Sequence, residues 1–143
     1  MLKRKIGGGR QMKGKTIQDL IFEIMEKSSF NEFNGKAVVK DLKSHRDLWK
    51  GVVMDREYGT FSPEDTDGYK HGIDLIKLRD ICDNVYNVDT VFILPSGKDD
   101  EALRKLALGW DADEVDWVEN GDHYSLGIGG KNSKIKILRI WWD

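Results

Sequence analysis

One cysteine, Cys82, is all the chain has, so no internal disulfide can form and packing alone must hold the fold. A lone thiol suits a reducing cytosol, and its place on the apolar stripe of a predicted helix marks Cys82 as a small core residue. No apolar run approaches the roughly 20 residues that a membrane span requires. The basic N-terminus has no apolar stretch behind its charges, so no signal peptide is expected there. The three histidines, His45, His71 and His123, stand far apart and outside any metal-ligand spacing. There is no serine nucleophile elbow, no reactive-cysteine context, no internal repeat and no cofactor fingerprint, and hence no cofactor is expected. These absences turn the reading away from catalysis.

What is present is an uneven distribution of charge. Residues 1–15 hold six basic residues (Lys3, Arg4, Lys5, Arg10, Lys13, Lys15) and no acid, so the chain's −2 becomes −8 over the remainder. Residues 1–14, with Gly7-Gly8-Gly9 and little to bury, read as a flexible basic arm ahead of a single domain over 15–143. Such an arm can touch nucleic acid phosphates or simply be solvated. It lacks the aromatics that grip bases.

Past the arm, Thr16 can cap a helix with Asp19 in its first turn, and Ile17, Leu20, Ile21 and Ile24 recur at helical spacing. Residues 36–49 read as a second helix capped by Asn34, striped by Val38, Leu42, His45 and Trp49, with a possible break at Ser44-His45. A strand over Gly51–Met54 is the other reading of its end. Two helices joined by a short turn invite a helix-turn-helix interpretation, against which Asp41, Asp47 and Asp55 stand among the lysines. Residues 55–71 read as a long loop. A helix over about 73–84 follows, striped by Leu75, Leu78, Ile81, Cys82 and Val85.

Thr90–Leu94 is a continuous apolar run that fits a strand buried on both faces. Asp99, Asp100 and Glu101 open a helix with Leu103, Leu106, Ala107 and Trp110 inward, and a strand at Val115–Val118 completes a βαβ unit with parallel strands. Asn120-Gly121 predicts a type I′ hairpin setting Trp117 opposite Tyr124 and Val115 opposite Leu126. Pairing Ile128 with Ile135 then places Ile137 on that face, and Leu138, Ile140 and Trp142 on the other. The expected class is α+β: N-terminal helices, then a βαβ unit leading into a C-terminal antiparallel meander on a mixed sheet. Helices are expected on both sides, 98–109 and 73–84 on one and the N-terminal helices on the other.

Function follows from three candidate surfaces. Ile140, Trp141 and Trp142, apolar on both faces, would bind a protein partner or a second copy if their strand lies at a sheet edge. Lys3, Arg4, Lys5, Arg10 and Lys13, with the N-terminal helices, are the nucleic-acid alternative. A divalent-metal-dependent hydrolase is the third, drawing on Asp65, Asp67, His71 and Asp74, which partly match a calcium-loop pattern, or on Asp111, Asp113, Glu114 and Asp116. The absence of a catalytic set favours a non-catalytic interaction module. The loop Leu94–Lys98 lies where anions bind in α/β folds, but the acids after it would repel a phosphate.

Overall fold

The computed structural model describes residues 14–55, 78–86, 88–118 and 135–143. The basic arm to Lys13, the loop with Asp65, Asp67, His71 and Asp74, and the Asn120-Gly121 hairpin lie outside these residues.

Helix α1 spans Ile17–Lys27. Its start is a reciprocal capping box: the Asp19 N–H donates to the Thr16 hydroxyl at 3.1 Å, and the Thr16 N–H donates to the Asp19 carboxylate at 2.8 Å. Helix α2 spans Gly35–Ser44, capped by Asn34, whose side chain accepts from the Ala37 N–H at 3.1 Å. The corner between the helices is so tight that a Cβ on Gly35 would lie 1.6 Å from the Met25 carbonyl oxygen.

The helix expected over 36–49 stops earlier. After Ser44 a 3₁₀ turn, Arg46–Leu48, leads into strand β1, Trp49–Asp55. Trp49 folds back so that its indole N–H donates to the Leu42 carbonyl at 2.8 Å, with the Arg46 guanidinium stacked 4.0 Å from its ring. The alternation of buried Val52 and Met54 with exposed Val53 and Asp55 is that of a strand over one core.

Helix α3 is short, Leu78–Cys82, followed by β2, Thr90–Pro95, and by α4, Asp100–Leu108, which Asp99 caps through the Ala102 N–H at 2.9 Å. Strands β3, Glu114–Val118, and β4, Ile137–Trp141, complete the described elements. The α+β class holds, with strand order β1-β2-β4-β3 and every described pairing antiparallel. β2 and β3 run in the same direction, as a βαβ unit requires, but β4 is hydrogen-bonded between them.

That insertion changes the faces. Val115 pairs with Ile140 and Trp117 with Leu138, so Leu138 and Ile140 share a face with Val115 and Trp117 instead of opposing them. Since side chains alternate along a strand, a register differing by one residue exchanges the two faces. This face carries Val52, Met54, Val91 and Ile93 as well, and packs in one cluster with Phe22 and Met25 of α1, Val38, Val39 and Leu42 of α2, and Leu103 and Ala107 of α4. All three helices therefore cover one side of the sheet, not two. With that side filled, the stripe expected on α3 is left outward: Leu78, Ile81, Val85 and Cys82 are exposed, so Cys82 is not a core residue.

Candidate functional site

The C-terminal strand does not present an edge. β4 is flanked by β2 and β3, and Ile140 and Trp142 are fully buried in the chain's own core. The Trp142 indole N–H donates to the Trp110 carbonyl at 3.1 Å, and its ring meets Phe33 edge-on at 4.8 Å between centroids. Only Trp141 of the three keeps partial exposure, its carbonyl accepting from the Asp113 N–H at 2.9 Å. As contact residues, Ile140 and Trp142 are withdrawn.

The acidic patch is engaged internally. Arg139, cross-strand from Asp116, bonds Glu114 and lies 3.5 Å from Asp116, while the Asp113 carboxylate accepts the Asp143 N–H at 2.8 Å. Among the described residues no group of three or more His, Cys, Asp or Glu is placed to hold a metal ion. His45 is exposed at the end of α2 and does not line the core, its Nδ1 lying 2.9 Å from the Asp41 carbonyl. The Leu94–Lys98 loop is tied to the 3₁₀ turn: the Ser96 N–H donates to the Leu48 carbonyl at 2.9 Å and Lys98 pairs with Asp47. That pair, led by the side-chain hydrogen bond, holds the Asp47 carboxyl below its ordinary range and raises the Lys98 ammonium above its own.

The surface that stands out belongs to α1. Phe22 and Met25 form its buried face, whereas Ile17, Leu20 and Ile24 are 73%, 44% and 45% exposed. Their spacing of three and four residues stacks them into one apolar ridge. The acids Asp19, Glu23 and Glu26 occupy another side, where Glu26 reaches Lys43 of α2 at 3.0 Å. Of the four aliphatics that recur at helical spacing, Ile21 alone packs against the core. Phe22 and Met25, the larger side chains, show which face turns inward.

Beside the ridge, Gln18 reaches the border strand β1. Its amide Nε2 donates to the Val52 carbonyl at 2.9 Å and its Oε1 accepts the Val52 N–H at 2.8 Å. Gln18 also lines an apolar groove of about 250 Å³ on the outer face of the sheet, with Gly51, Val53, Phe92, Leu94 and Ile137. Comparison with known protein families, curated proteins and solved structures returns no match. Among the described residues no helix is long and apolar enough to cross a membrane.

Proposed function

We propose that the chain is a small non-catalytic interaction module that acts by self-association through the α1 ridge. One observation carries this reading: three large aliphatic side chains in a row are exposed on a helix whose start is fixed and whose other face is core. Such a patch gains by leaving water, and two-fold pairing of identical surfaces is the commonest way for it to do so. Antiparallel packing about Leu20 would set Ile17 of each copy against Ile24 of the other. The single cysteine supports a reducing, cytosolic setting.

Light scattering over a concentration series tests this. The wild-type chain is expected to dimerise, and Leu20→Glu to return it to monomer with an unchanged far-UV spectrum. A wild-type monomer at every concentration defeats the reading. A different protein occupying the ridge would show as that same monomer.

A second reading has its own support. Asp41 turns inward to accept the Trp110 indole N–H at 2.9 Å, which leaves Lys36, Lys40 and Lys43 exposed along α2 at helical spacing. With the basic arm, that stripe suits nucleic acid phosphates. Its signature would be affinity for labelled DNA or RNA that falls steeply with salt.

A further inference from the structure

Among the described strands β1 borders the sheet, paired to β2 on one side, and the outward backbone groups at its midpoint belong to Val52. A single side chain takes both of them, since the Gln18 amide donates to the carbonyl and accepts from the N–H. A primary amide bonded at both ends reproduces the paired N–H···O bonds of an antiparallel neighbour. Gln18 thus stands in for one peptide unit of an adjoining strand. We propose that the outer edge of β1 is a strand-addition site for a second copy of this chain, and that Gln18 holds it closed.

The occupant follows from the strand's own layout. Val52 is the middle residue of Trp49–Asp55, so two-fold pairing about Val52 brings the two strands into full overlap. Lys50 then opposes Met54 and Trp49 opposes Asp55, so no like charges face each other. Gly51 of each copy opposes Val53 of the other, on the face that holds the groove. A Cβ built on Gly51 meets nothing within 4 Å, so there is room beside it for the incoming Val53, which is 40% exposed in the single chain. Edges of this kind pair with other chains unless something covers them. Among the described residues the cover is Gln18 at the strand's centre, with the Tyr86 hydroxyl 3.5 Å from the Met54 carbonyl toward its end.

This goes beyond the ridge reading and uses a different surface, so the test is run on a Leu20→Glu background. That variant alone judges the ridge. The β1 edge is judged only by the increment on adding Gln18→Ala. Light scattering should then show a doubling of mass at high protein concentration, and the Val52 amide should remain protected from hydrogen exchange in the dimer. A folded Gln18→Ala chain that stays monomeric to its solubility limit, with its Val52 amide exchanging freely, overturns the proposal. Should Gln18→Ala fail to fold, Gln18→Glu is read instead. It still accepts from the Val52 N–H but can no longer donate to the carbonyl, so it should associate more weakly, and a monomer there overturns the proposal equally.

Discussion

Trp142→Ala separates the core role of the last tryptophan from the contact role that its sequence position suggests. The side chain is fully buried, packed edge-on against Phe33 at 4.8 Å and hydrogen-bonded to the Trp110 carbonyl. Truncating a buried tryptophan to alanine costs about 3–5 kcal/mol. Leaving the Trp110 carbonyl without its donor adds about 1 kcal/mol. Set against a whole-domain stability of about 5–15 kcal/mol, the loss removes about a quarter or more of what holds the chain folded. At about 2–4 °C per kcal/mol for a chain of this size, a 4 kcal/mol loss lowers Tm by roughly 8–16 °C. Urea unfolding followed by circular dichroism should show the midpoint falling with an unchanged slope, because the same surface is exposed on unfolding. Light scattering in the absence of urea should show the wild-type association state. An unchanged midpoint together with a dissolved oligomer would refute the core assignment.

Two further outcomes are expected. Gly35→Ala should destabilise by at least about 3 kcal/mol despite alanine's better helix propensity, because its Cβ meets only backbone of the α1 terminus, Met25 and Ser28; a loss under about 0.5 kcal/mol by urea unfolding would contradict that packing. Asp19 is held below the ordinary carboxylate range by the Thr16 backbone N–H and, next, by the Thr16 hydroxyl. Because the folded state favours its ionised form, its contribution is present above the unfolded-state pKa and is lost as pH falls through the depressed folded value. A carboxyl titration by NMR should show that depression, and Thr16→Ala should move it back toward ordinary; an ordinary value in the wild type would sink the capping-box account.

Local rules made much of this fold legible. Thr16 with Asp19, Asn34, and Asp99 with its following acids all announce helix starts through chemistry confined to one turn. The apolar run at Thr90–Leu94 is a buried strand for the same reason. What escaped depended on partners distant in sequence. The end of the second helix is decided by Trp49 turning back to the Leu42 carbonyl and by β1 pairing with β2, some 40 residues on. The faces of the last strand hinge on whether Val118 meets Ile137, and alternation within the strand is silent on that. Ile17, Leu20 and Ile24 look like core because helical periodicity reports a stripe without saying which way it faces. Gln18 gives no signal at all, since its importance lies in backbone groups 34 residues away.

The central position of β4 governs the order in which this protein can be made. Among the described strands β2 and β3 are hydrogen-bonded to each other only by way of residues 137–141, and the core under the covering helices includes the tryptophan that follows. A ribosome that has released everything up to the end of β3 has released the β1–β2 pair and a lone β3, with the strand that joins them still to come. The seam closes only when β4 emerges and pairs with β2 residues 45–51 positions earlier in the chain. Such long closures are entropically slow. Completion is therefore expected to follow synthesis of this strand as one late, cooperative step, with the unfinished chain at its most aggregation-prone just before it.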